Sequence, residues 1–88
     1  MGKVAVIYRI MPTSVDVDLE KVLTDVRKNL PADTNLRGSQ IKDVAFGIKA
    51  LMIQVIMNDV EGISDNVQET IAKIKDVESV EVLEMTLI

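Results

Sequence analysis

Residues 44–57 read Val44-Ala45-Phe46-Gly47-Ile48-Lys49-Ala50-Leu51-Met52-Ile53-Gln54-Val55-Ile56-Met57. Whether this stretch is one helix, or a turn that leads into a strand, decides the architecture of the whole chain. From Ile48 onward, Leu51, Ile53, Val55 and Met57 alternate with Ala50, Met52, Gln54 and Ile56. The run is long enough for a helix. Its Ile and Val content, with Gly47 before it and Asn58-Asp59 after it, selects a strand instead. Both phases are mostly apolar, so the pattern predicts a central strand with neighbours on either side. Ala45, Phe46 and Gly47 form a tight reversal, and the residues before it, roughly Ser39 to Val44, are the partner strand. That segment sets Gln40, Lys42 and Val44 against Ile41 and Asp43, a polar pattern suited to a sheet edge.

Working outward, residues 58–62 turn the chain into a helix that starts at Ser64 or Asp65. Gln68 stands three beyond Asp65 as a capping-box partner. Ile63, Val67, Ile71 and Ile74 supply its apolar stripe, and Lys73 and Lys75 suit the negative end of its dipole. A last strand follows, from about Val77 to Leu87. Val80 and Val82 share one phase there, and Leu83, Met85 and Leu87 share the other, which calls for a β-bulge near Val82. In the other direction, residues 31–38 are rich in turn formers and read as a loop. Leu19, Val22, Leu23, Val26 and Leu30 fall on one helical stripe. Asp16 or Asp18 caps that helix, and Pro31 stops it by forcing Leu30 out of the α region. The first strand sets Val4, Val6, Tyr8 and Ile10 on a fully apolar face, with a mixed opposite face, and Pro12 ends it.

The predicted order is therefore β-α-β-β-α-β across a single domain, residues 1–88. This is the ferredoxin-like split βαβ arrangement, an α+β two-layer sandwich. Right-handed crossovers put both helices on one face of a four-stranded antiparallel sheet, in spatial order 4-1-3-2. Val4, Val6, Tyr8, Leu19, Val22, Leu23, Val26, Val55, Val67, Ile71 and Ile74 are its expected core.

Composition narrows the chemistry. Ten Lys and Arg against 14 Asp and Glu leave a net charge of −4, with hydrophobic residues at 48% and charged ones at 27%. That balance disfavours a phosphate-binding patch and suits a positive partner, or no charged partner at all. Without Cys there is no thiol chemistry, and without His the commonest general base and metal ligand are missing. The acids scatter over turns and helix starts, and Asp59 with Glu61 reads as solvated turn residues rather than a metal pair. The glycines are too dispersed for a phosphate loop. The chain is expected to be no enzyme, to carry no cofactor or metal, and to bind neither nucleic acid nor membrane. Its longest apolar run, Val4 to Tyr8, falls far short of the roughly 20 residues that span a bilayer, and the expected location is the cytoplasm.

One segment asks for a partner. Phe46 is the single Phe of the chain and sits at a hairpin tip, where a large apolar ring is costly in water unless covered. It either folds back as core or is presented to another protein, with Lys49 beside it, as an interface anchor.

Val44-Ala45-Phe46-Gly47-Ile48-Lys49-Ala50-Leu51 resembles the segment of the elongation factor 1-beta family that in eukaryotes reads close to G-F-G-I-K-K-L. Gly38 fits the glycine before this strand, and Asp16 to Leu30 fits the amphipathic first helix. The resemblance implies a guanine-nucleotide exchange factor for elongation factor 1-alpha, in which Phe46, with Gly47, Ile48 and Lys49, seats in a pocket of the GTPase. It also implies contacts near the C-terminus, at Met85, Leu87 and Ile88. Eukaryotic members carry a penultimate Lys that reaches toward the magnesium site, and Leu87 stands there in this chain. An apolar side chain cannot compete with a divalent cation, so release would rest on the anchor, on backbone displacement or on another residue. The rival reading is a small-molecule regulatory domain of the same fold. That reading asks for a glycine-rich turn after the first strand, where this chain has Met11-Pro12-Thr13-Ser14.

Overall fold

The computed structural model describes residues 2–45 and 47–88. Its elements run in the order β1 (Lys3–Pro12), α1 (Leu19–Asn29), β2 (Asn35–Ala45), β3 (Ile48–Asn58), α2 (Ile63–Ala72) and β4 (Val77–Leu87). The four strands form one antiparallel sheet ordered β2-β3-β1-β4. This is the ferredoxin-like α+β arrangement. Lys3 to Ile10 of β1 pair with Asn58 to Leu51 of β3, so the two most apolar strands lie at the centre. Neither helix is long and apolar enough to cross a membrane.

The core forms where the even residues of β1 meet the odd residues of β3. Val4, Val6, Tyr8 and Ile10 join Leu51, Ile53, Val55 and Met57, and the helices lay Leu19, Val22, Val26, Val67, Ile71 and Ile74 over them. Leu23 is the exception among the expected core residues, packing at the margin and only partly buried. Removing this apolar area from water, at about 25 cal/mol per Å², is the main force holding the layers together.

Helix α1 is bounded as its sequence dictates. The Asp18 side chain accepts the Glu20 N–H at 3.0 Å. Leu30 caps the other end with an extended backbone, φ −64° and ψ 142°, as the following Pro31 requires. Strand β4 carries two irregularities, one between Ser79, opposite Met11, and Val77, opposite Pro12, and one between Glu84, opposite Ile7, and Val82, opposite Tyr8, where Leu83 is the extra residue. The bulge lets Val80, Val82, Met85 and Leu87 all share the face of Val4 to Ile10 despite their mixed spacing.

Three expectations need correction. The segment before Ser39 is not all loop, because β2 begins at Asn35, with Asn35 opposite Ile56 and Leu36 opposite Val55. Pairing with a long central strand overrides the local turn preference, and a shift between Leu36 and Gly38 absorbs the mismatch. Helix α2 is not capped by Ser64 or Asp65. Its cap is Gly62 in the left-handed region at φ 85°, without a side-chain cap, and Gln68 donates instead to the Val80 carbonyl at 2.8 Å. Finally, Lys73 is the C-cap and Lys75 lies beyond it, so no cation occupies the last turn of α2.

Candidate functional site

The β2–β3 hairpin closes where Ala45 pairs with Ile48. Gly47 has φ 83°, a backbone conformation that L side chains rarely adopt, and a Cβ there would meet nothing within 4 Å. The constraint is thus conformational rather than steric crowding. Ile48 and Lys49 are exposed beside it, as is Val44. Phe46 lies outside the described residues.

The second expected group sits on β4. Met85 is 52% exposed, Leu87 70% and Ile88 66%. Register places it far from the hairpin. Leu87 is opposite Val4, and Val4 is opposite Met57, at the far end of β3 from Ile48. From Ile48 to Met57 the strand rises about 30 Å, at about 3.4 Å per residue, along a molecule 42 Å in its longest dimension. Gly47, Ile48 and Lys49 therefore cluster at one end of the sheet, and Met85, Leu87 and Ile88 at the other. No single small pocket contains both groups.

Between these ends, the sheet face away from the helices is uncovered. A shallow hollow of about 550 Å³ lies over Ile7 and Met52, bordered by Gln40, Lys42, Gln54, Leu83 and Glu84. Arg9 Nη2 donates to Glu81 Oε2 at 2.6 Å on this face, while Arg9 Nε is buried without a hydrogen-bond partner. Its one Lys and one Glu stand beside amides and apolar side chains, with no base held against a nucleophile. Among the described residues no three acidic side chains come together in a way that could hold a metal ion.

Tyr8 points inward, as its place on the apolar face predicts, and is fully buried. Its hydroxyl donates to the Ser64 carbonyl at 3.0 Å, tying β1 to the start of α2. Burial, reinforced by the Asp65 carboxylate, pushes its pKa up to about 12. A phenol so reluctant to ionise works as a structural donor.

Sequence reasoning passed over Val82 and Leu83 as surface residues, yet both are exposed alongside Met85 and Leu87. The signal was present: a strand apolar in both phases, at the edge of a sheet, must show some of those side chains to solvent.

Comparison with known proteins extends this picture. Residues 5–88 match the family model of the EF-1 guanine nucleotide exchange domain. The chain is similar to the elongation factor 1-beta of Archaeoglobus fulgidus, 43% identical over 88 residues and 100% of both chains. It is also similar to that of Methanococcoides burtonii, 42% identical over 85 residues, 97% of this chain and 96% of the relative. Among solved structures, the C-terminal domain of the MgtC protein from Mycobacterium tuberculosis superposes with a TM-score of 0.63 at 12% identity, covering 94% of this chain and 86% of that one. BlrP1 BLUF superposes at 0.59 with 18% identity, covering 100% of this chain and 56% of that one. At such low identity these two likenesses show the fold alone.

Proposed function

The chain belongs to the EF-1 guanine nucleotide exchange domain family and has a nucleotide-exchange role in translation elongation, and from that premise we propose that its partner is the GTPase elongation factor 1-alpha. It promotes release of GDP so that GTP rebinds, acts in the cytoplasm, and makes or breaks no bond itself. The observation that supports this reading is the match over residues 5–88, which takes in both helices and all but the first two residues of the sheet.

Exchange is a coupling of two binding equilibria. A factor that favours the nucleotide-free GTPase weakens nucleotide binding by the same ratio. A thousandfold faster release needs about 4 kcal/mol of differential stabilisation. Seating one Phe contributes about 1.5–3 kcal/mol by buried area. In this reading Phe46, next to Gly47, Ile48 and Lys49 in the sequence, is the anchor and supplies much of that energy. The remainder comes from a second contact at Met85, Leu87 and Ile88. The separation of about 30 Å along the strands means the two contacts engage different parts of the GTPase.

The test is release of labelled GDP from elongation factor 1-alpha, with and without the protein. Acceleration by the wild type is expected, and its absence removes the exchange reading for this partner. Phe46→Ala is expected to keep the wild-type Tm while weakening the complex by about 2–4 kcal/mol, as truncation of an anchor does. A folded Phe46→Ala protein that still releases GDP at the wild-type rate assigns the anchoring elsewhere.

A further inference from the structure

The sheet has two edges, β2 and β4, and only one is guarded along its length. Strand β2 carries irregularities between Leu36 and Gly38 and between Asp43 and Ala45, with Arg37, Lys42 and Asp43 along it. Such kinks and charges discourage another strand from adding. The first half of β4 is interrupted as well, by a register shift between Ser79 and Val77, and the Val80 carbonyl is taken by Gln68 of α2. Past the bulge at Leu83 the ladder runs to Leu87 without a further shift. Val82, Met85, Leu87 and Ile88 are all exposed.

The backbone there is also available. The Ile88 N–H donates to the Lys3 carbonyl at 2.9 Å, so Ile88 faces β1. In an antiparallel ladder inward and outward residues alternate. Thr86 therefore faces β1 too, and the N–H and C=O groups of Met85 and Leu87 point away from the sheet. Side-chain faces follow from register. Met85 and Leu87 lie opposite Val6 and Val4, on the face that carries the helices, whereas Glu84 and Thr86 lie opposite Ile7 and Ala5 on the open face. Residues 77–88 include Glu78, Glu81 and Glu84 and no Lys or Arg. Glu81 is neutralised by Arg9, and Glu84 has no ion-pair partner among the described residues.

We propose that the outer edge of β4 over residues 84–88, past the bulge, is a strand-addition site for an extended segment of a partner protein in which apolar residues alternate with Lys or Arg. The main chain of that segment pairs with Met85 and Leu87. Its apolar side chains cover Met85 and Leu87 on the helix side, and its cations reach Glu84 on the other. A second copy of this chain fits poorly, because a two-fold pairing of β4 with itself near the bulge sets acidic strand against acidic strand. The inference goes beyond the exchange reading, since it names the chemistry that this edge accepts and requires nothing of the hairpin.

The probe is an end-capped eight-residue peptide alternating Val and Lys, added to the full chain at low salt. Amide hydrogen exchange at Met85 and Leu87 is expected to be fast in the free protein. Saturating peptide is expected to slow it at least tenfold, with affinity falling as salt rises. Leu87→Pro removes an outward N–H and no bond to β1, so it is expected to fold and to bind the peptide at least tenfold more weakly. Glu84→Lys is expected to weaken binding several-fold. Failure of the peptide to bind, unchanged exchange at Met85 and Leu87 in its presence, or wild-type affinity in a folded Leu87→Pro protein each overturns the proposal. The exchange measurement uses the wild-type chain, so it decides even where the proline variant does not fold. No GTPase is present, so the result is independent of whether the chain accelerates GDP release.

Discussion

The two strand–helix–strand halves hold their helices by different means. Helix α1 is defined locally. The Asp18 side chain caps it, Glu20 stands in its first turn, Arg27 and Lys28 occupy its last, and Pro31 stops it. These groups lie within a few residues of the helix they bound. Helix α2 has almost none of this. It begins at a left-handed Gly62, lacks a side-chain cap, has no cation in its last turn, and is followed by Asp76 at φ 72°. What it has is long-range: the Tyr8 hydroxyl on the Ser64 carbonyl, Gln68 on the Val80 carbonyl, and Val67 and Ile71 fully buried. The Asp76 carbonyl itself accepts from the Thr13 N–H at 3.0 Å, joining the entry to β4 with the exit from β1. A helix can thus be specified by its own ends or by the surface it packs on, and this fold uses one of each.

The widest gap between the halves is expected in the core. Ile71→Ala should cost about 2–5 kcal/mol and Val26→Ala about 1–3 kcal/mol, the transfer of the lost methyl groups plus the cavity they leave. Urea unfolding with unchanged m-values measures both. The contrast breaks if the α1 substitution proves the costlier.

Alkali should address α2 alone. The Tyr8 phenol ionises near 10 in the unfolded chain and near 12 in the folded one. Between these values the unfolded state has already released a proton that the native state retains. The stabilisation is therefore complete below pH 10 and is lost as pH rises from 10 to 12, by about 2–3 kcal/mol in all. Tyr8→Phe should remove this extra slope, while losing about 1 kcal/mol at neutral pH with the Ser64 hydrogen bond. The difference between the two proteins in urea midpoints at pH 9 and pH 11.5 isolates it from the titration of the lysines.

The smallest effects are at the helix starts. Gly62→Ala should cost about 1–2 kcal/mol, because alanine must adopt a left-handed backbone. Asp18→Ala should cost about 1 kcal/mol through the lost cap. Thermal unfolding of the two variants sharpens the comparison. If Gly62→Ala is neutral, α2 begins elsewhere in solution, and its packed surface alone fixes its position.

This difference also explains how far the fold could be read beforehand. The alternation of β1, the stripe and boundaries of α1, and even the bulge of β4 are written in nearby residues, so they were legible. Val80 and Val82 in one phase, with Met85 and Leu87 in the other, admit few arrangements that put all four on one face. The first residues of β2 were not legible. Asn35 and Gly38 are turn formers by themselves, and only pairing with Ile56 and Gln54 of β3 makes them part of a strand. The start of α2 was hidden for the same reason, since Gln68 has a plausible local role and takes a distant one. At the candidate site, exposed apolar groups near the hairpin and on β4 could be read from composition. Their placement at opposite ends follows from strand direction and register, which no short motif states.

The buried phenol has one more consequence. The chain contains one Tyr and no Trp, so its ultraviolet emission above that of phenylalanine comes from Tyr8 alone. A phenol bonded to a carbonyl is partly quenched, and Ser64, its acceptor, lies in the first turn of α2. Intrinsic fluorescence of this protein is therefore a single-site gauge of whether α2 is seated on β1. It should brighten when that helix lifts, and needs no added label.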